Sequence, residues 1–80
     1  MSSTETIGVL MKRGGYVPLV VTGSVYKDTD GAGQSWTQVE VKSVQWPGGG
    51  RVAEKNITDM TQVEDDFKRA VIRRATENLY

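Results

Sequence analysis

The chain has 80 residues, with ten basic and ten acidic side chains and neither cysteine nor histidine. This length predicts a single domain, 1–80, with a modest stability of about 3–6 kcal/mol. Without cysteine and histidine, the commonest catalytic nucleophiles, bases and zinc ligands are excluded. The balanced charge argues against a protein that mainly grips phosphate backbones. We therefore expect a protein that is not an enzyme and that binds no metal and no cofactor.

The first six residues are polar and lack the apolar region of a secretory signal. We expect residues 1–5 to be frayed and the protein to be cytoplasmic. The longest apolar runs have three residues, as at 9–11 and 19–21, whereas a membrane-spanning helix needs about 20. No association with a membrane is therefore expected.

Three segments show the alternation and the residue types of β-strands, at about 6–12, 16–27 and 36–46. Turn-forming residues separate them, including two glycines after the first strand and three after the third. A fourth, edge strand at 51–57 is an alternative, although Glu54-Lys55-Asn56 is poor strand material. The pattern predicts a three- or four-stranded antiparallel meander.

The last twenty residues predict one amphipathic helix over about 61–79. Its apolar residues recur at spacings of three and four and form a single stripe, made of Met60, Val63, Phe67, Ala70, Val71, Ala75 and Leu79. The segment Thr61-Gln62-Val63-Glu64 is typical of a capping box, and Asp59 is the competing N-cap. The predicted fold class is therefore α+β, with this helix packed on one face of the sheet.

The length of each hairpin loop decides which residues share a sheet face. In the second strand the apolar pattern falls on odd-numbered residues, namely Val17, Leu19, Val21 and Val25. A three-residue loop at 13–15 would pair Val9 with Leu19 and bury more apolar surface than a two-residue Gly14-Gly15 turn, so we favour it. In the second hairpin, an odd loop with Tyr26 opposite Trp36 would place Val41 against Val21.

These registers leave an apolar and aromatic set on the even-numbered face, which the helix does not cover: Leu10, Tyr16, Pro18, Val20, Tyr26, Trp36, Val44 and Trp46. An exposed patch with two tryptophans and two tyrosines usually marks an interface. The alternative is a β-bulge near Ser43, which would turn Val44 and Trp46 toward the core.

We therefore predict a non-catalytic protein-interaction module that binds a partner or itself, including as a homodimer, through the even face. The predicted partner-binding residues are Tyr16, Tyr26, Trp36, Lys42 and Trp46. The alternative function is a nucleic-acid-binding module, in which sheet aromatics stack on bases and scattered lysines and arginines contact phosphates.

Two loops resemble ligand-binding motifs and fail on inspection. The segment from Asp28 starts like an EF-hand calcium loop, but Ala32 stands at its fifth position and Val39 at its twelfth, where ligands are needed. The glycine run at 48–50 could form a backbone anion nest, but it lacks the lysine and the hydroxyl of a phosphate-binding loop. We interpret both segments as turns.

Overall fold

The computed structural model describes residues 2–77, which form an antiparallel sheet and one C-terminal α-helix packed against it. The strands are β1 (Ser2–Leu10), β2 (Tyr16–Thr29) and β3 (Ser35–Gln45), in the order β1-β2-β3. A 3₁₀ turn, Glu54–Asn56, precedes the helix α1 (Met60–Glu77). The predicted α+β class is confirmed, and β2 lies between two edge strands.

β1 begins earlier than the sequence pattern suggested. Residues 2–5, which we expected to be frayed, pair with residues 21–24 of β2. Thr4 and Thr6 are good strand formers, and Glu5 is buried on the helix side of the sheet. Met1 and residues 78–80, including Leu79 at the end of the predicted apolar stripe, lie outside the described residues.

The first hairpin has the predicted three-residue loop, but it begins one residue earlier, at 12–14. Met11 N donates to Gly15 O at 3.1 Å, and Gly14 N donates to Met11 O at 2.9 Å. Gly14 and Gly15 both have positive φ, 94° and 82°, which only glycine adopts at low cost. The shift pairs Val9 with Val17 rather than with Leu19. The faces are unchanged, because the pairing moved by two residues.

The second hairpin also has the predicted odd parity and a register two residues away from the expected one. Val39 lies opposite Val25, and Trp36 lies opposite Asp28 rather than Tyr26. The side chain of Asp30 organises the loop by accepting the N–H groups of Ala32 at 2.8 Å and Gln34 at 3.3 Å. Asp30 thus stabilises the turn through its side chain.

A bulge in β3 changes the faces of the sheet. Gly23 pairs with Val41, but its neighbour Thr22 pairs with Ser43, so Lys42 is an extra residue. As a result Val44 lies opposite Val21 and is buried in the core. Our assignment of Val44 to the even face was wrong, and the alternative with a bulge is the one observed. Since numbering parity fails beyond Lys42, we call the helix-covered side the core face and the other side the open face.

The core forms where α1 crosses the core face. Asp59 is the N-cap, because its Oδ1 accepts the Thr61 N–H at 2.9 Å and α1 begins at Met60. Phe67 is fully buried and its ring lies on Gly23, where an added Cβ would be 3.0 Å from Phe67 Cε2. The buried apolar residues are Val9, Met11, Leu19, Val21, Val44, Val52, Ile57, Val63 and Phe67.

The segment after β3 starts a further hairpin and then leaves the sheet. Trp46 and Gly50 close a turn with the same two hydrogen bonds as the first hairpin. Only isolated bridges follow, Gln45 with Arg51 and Met11 with Ile57. Between residues 2 and 77 the sheet therefore has three strands, and the 3₁₀ turn occupies the part of 51–57 that was poor strand material.

Candidate interaction surface

The open face consists of the strand residues that point away from α1. They are Ser2, Thr4, Thr6, Gly8 and Leu10 of β1, Tyr16, Pro18, Val20, Thr22, Ser24, Tyr26 and Asp28 of β2, and Trp36, Gln38, Glu40, Ser43 and Gln45 of β3. No described element covers this face, since α1 packs on the other side. Pro18 is tolerated in the middle strand because β3 ends opposite Val20 and offers no partner for the missing N–H.

Tyr26 and Trp36 form an aromatic pair at the end of the open face near the second hairpin. Tyr26 lies opposite Gln38 and Trp36 opposite Asp28, so the two aromatics are diagonal neighbours, about 7–8 Å apart and within reach of each other's rings. Their exposed fractions are 49% and 40%. This pair therefore leaves a substantial part of two aromatic side chains exposed to solvent.

Tyr16 lies at the opposite end of the open face and is 64% exposed. A Cβ built at Gly8 would be 3.9 Å from Tyr16 Cβ and Cδ1, so this ring lies alongside the glycine of the neighbouring strand. Ten residues of β2 separate Tyr16 from Tyr26, which corresponds to about 33 Å. The middle of the face is small and polar, with a 3.1 Å hydrogen bond between the hydroxyls of Thr4 and Thr22. The open face therefore has two aromatic centres and no continuous aromatic patch.

Trp46 and Lys42 are separated from the other predicted site residues by the bulge. Trp46 lines a groove of about 430 Å³ with Met11 and Val17, which belong to the core side of the sheet. Lys42 lines a different groove, beside Arg51 and Glu54, at the β3 edge. The sequence carried one signal of this change, because Gly23 stands inside a strand pattern and such a glycine often marks a bulge.

The charges on the open face are acidic. Asp28 lies opposite Trp36, and Glu40 lies opposite Ser24, so a carboxylate stands on each side of the aromatic pair. No lysine or arginine belongs to the strand residues that form this face. A surface of this kind repels phosphate backbones and favours basic or neutral partners.

Sequence reasoning missed a buried carboxylate on the core face. Glu5 is 6% exposed, and Arg74 Nε lies 2.9 Å from its Oε1. The distance is that of an ion pair, although the N–H direction does not form a hydrogen bond. A groove of about 410 Å³ runs beside this pair between β1 and α1, and it is also lined by Asp66, Arg69 and Arg73. The sequence signal for this site is the charged Glu5 between Thr4 and Thr6, two residues that favour strands.

Comparison of the chain with protein-family models, with curated proteins and with solved structures found no match. Within residues 2–77, no helix has the length and apolar character needed to cross a membrane.

Proposed function

We propose that this protein is a non-catalytic protein-interaction module whose binding surface is the open face, with Tyr26 and Trp36 as its anchors. The observation that carries the proposal is the exposure of two adjacent aromatic side chains on a face that α1 does not cover. Aromatic anchors of this type dominate many interfaces, each contributing about 2 kcal/mol or more when truncated to alanine.

The acidic residues beside the pair define the partner's chemistry. Asp28 and Glu40 flank the aromatics, so a protein segment with apolar side chains and a lysine or arginine fits this end of the face. The same charges weaken the alternative of nucleic-acid binding, because a single-stranded platform needs cations beside its stacking residues. Lys42, the one basic residue among the predicted site residues, lines a groove at the β3 edge.

The test is affinity capture from the source cells followed by calorimetry with the captured protein. Trp36→Ala should weaken binding at least about tenfold and leave the melting temperature nearly unchanged, because an interface aromatic contributes to binding and not to folding. Tyr16→Ala is the matched control, since it removes an exposed aromatic of the same face about 33 Å away. It should change the affinity less than Trp36→Ala does.

Three outcomes would overturn the proposal. The first is equal capture by the wild type and by a Tyr26→Ala, Trp36→Ala double variant. The second is a large loss of stability in Trp36→Ala, which would make Trp36 a structural residue. The third is binding to single-stranded oligonucleotides that falls steeply with added salt, which would support the nucleic-acid alternative.

A further inference from the structure

The two edges of the sheet are protected to different degrees. An edge strand presents unpaired N–H and C=O groups, and proteins usually guard them with charges, prolines or bulges. β3 has both a charge and a bulge, since Lys42 is the bulged residue and Glu40 precedes it. β1 has neither proline nor bulge along its nine residues, and Glu5 is its single charge.

The hydrogen-bond pattern identifies which groups of β1 are open. Met11 N donates to Gly15 O within the first hairpin, so the backbone groups of Met11 point toward β2. Along an antiparallel strand, residues whose N–H and C=O point toward the neighbouring strand alternate with residues whose groups point away from it. Thr4, Thr6 and Gly8 therefore direct their backbone groups away from β2. The same alternation explains why Leu10 O accepts the Thr58 N–H on the outer side at 3.1 Å. In the described chain no strand pairs with the outer side of β1 from Thr4 to Gly8.

The side chain of Glu5 points toward the core face. A charged side chain in this position on an edge strand normally discourages pairing, because a second strand would bury the charge without a partner. Here Arg74 already lies 2.9 Å from its Oε1. The ion pair offsets the charge of Glu5 from the helix side, so this carboxylate already has a cation beside it without a second strand. The charge of Glu5 therefore gives β1 little protection against pairing with another strand.

We infer that a second copy of this chain pairs with the outer edge of β1, antiparallel and about a two-fold axis, so that two three-stranded sheets become one continuous sheet. Antiparallel pairing of a strand with itself is self-complementary, as a two-fold interface requires. The chain has no net charge, so net charge adds no long-range repulsion between two copies. This backbone edge lies on the opposite side of the sheet from β3, which carries Trp36, so the inference is independent of the function proposed for the aromatic pair.

The structure favours one register, with Thr6 opposite its own copy. Thr4 then lies opposite Gly8, and each outward pair can exchange two hydrogen bonds. Glu5 lies opposite Ile7, whereas a register centred on Glu5 would oppose two carboxylates, which destabilises a sheet. Thr58 and Asn56 occupy the outer side of Leu10 and Lys12, so the partner strand ends there. The paired stretch is short and buries less surface than the roughly 800 Å² per partner of a stable complex. We therefore expect a dissociation constant of about 10 µM to 1 mM.

Sedimentation and amide hydrogen exchange test this inference on the unmodified chain. From about 10 µM to 1 mM the mean mass should rise from 8.8 kDa toward twice that value. Over the same range the amides of Thr4, Thr6 and Gly8 should exchange about two- to sevenfold more slowly, in proportion to the fall in the monomer fraction, while the outward amides of β3, such as Thr37, should not change. A monomer throughout would overturn the inference. So would a dimer whose outward β1 amides stay fast, since that dimer would use another surface.

A pair of proline variants identifies the edge. Thr6→Pro removes an outward N–H of β1, which an edge strand tolerates, and should weaken the dimer at least about tenfold. Thr37→Pro makes the same change at an outward position of β3 and is the matched control, with an effect below about threefold. Equal effects of the two variants would contradict pairing through β1. If Thr6→Pro does not fold, hydrogen exchange of the outward β1 amides in the wild type decides whether the dimer forms through β1.

Discussion

The two faces of one sheet have opposite physical tasks in this protein. The core face carries apolar residues of moderate size, such as Leu19 and Val21, and buries them completely under α1. The open face of the same strands has threonines in its middle and exposed aromatics at its ends. If the proposed function holds, stability and binding are separated by the direction in which a side chain points. Substitutions on the core face should change the free energy of unfolding, and substitutions on the open face should change binding.

The largest expected effect is on the core face at Phe67. This ring is fully buried and lies on Gly23. Phe67→Ala should lower the free energy of unfolding by about 3–5 kcal/mol, which is comparable with the whole stability expected for a chain of this size. Thermal and urea denaturation followed by circular dichroism measure the loss. Ile72→Ala on the exposed side of the same helix is the control, and its cost should stay below about 1 kcal/mol. A Phe67→Ala protein that melts within a few degrees of wild type would contradict this packing.

The next largest effect is expected where the sheet approaches the helix most closely. A Cβ at position 23 would overlap the carbonyl oxygen of Glu40 and lie 3.0 Å from Phe67 Cε2. Because backbone cannot move away cheaply, Gly23→Ala should cost about 1–3 kcal/mol. Gly48→Ala provides the matched comparison, since no atom lies within 4 Å of a Cβ there. Its effect should be within about 0.5 kcal/mol in urea denaturation, and equal costs at both glycines would show that space is not the cause.

The two hairpins show which features of the fold the sequence predicts and which it does not. The alternation of Val17, Leu19 and Val21 gave the buried face of β2 and the odd parity of both hairpins. The exact register was missed by two residues, because several odd loops satisfy the same alternation and only the positive φ of Gly14 and Gly15 selects among them.

The candidate site was less predictable than the fold. Tyr16, Tyr26 and Trp36 were correctly assigned to the open face, because the strand pattern near them is regular. Lys42 and Trp46 were not, because a bulge is a local irregularity that hydrophobic alternation does not encode. Gly23 marks the place where it occurs, but a glycine in a strand has more than one explanation. The partnership of Glu5 with Arg74 depends on how α1 crosses the sheet, which sequence spacing does not specify.

Removing the cation of the ion pair under α1 shows whether the buried charge of Glu5 on the core face depends on the helix. Arg74→Ala leaves the buried Glu5 carboxylate without its cation. The arginine side chain is 63% exposed, so solvent reduces the loss to about 1 kcal/mol. In a Glu5→Gln background the same Arg74→Ala change should cost almost nothing, giving a coupling energy of about 1 kcal/mol in a double-mutant cycle. Arg73→Ala is the control at the neighbouring position. If it lowers the free energy of unfolding as much as Arg74→Ala does, the loss comes from removing positive charge from the helix and not from the ion pair with Glu5.

The smallest expected effect separates the two tryptophans, which have the same exposed fraction of 40% but lie on opposite sides of the sheet. Trp46 covers a groove beside Met11 and packs against the turn at Gly50, whereas Trp36 lies among open-face residues. We expect Trp46→Ala to cost about 1 kcal/mol, a fraction of the loss for a fully buried ring, and Trp36→Ala to cost less than about 0.5 kcal/mol. Urea denaturation of the two single variants, each compared with wild type, measures the difference. If Trp36→Ala is the more destabilising of the two, the open face supports the fold and the separation of stability from binding by face does not hold.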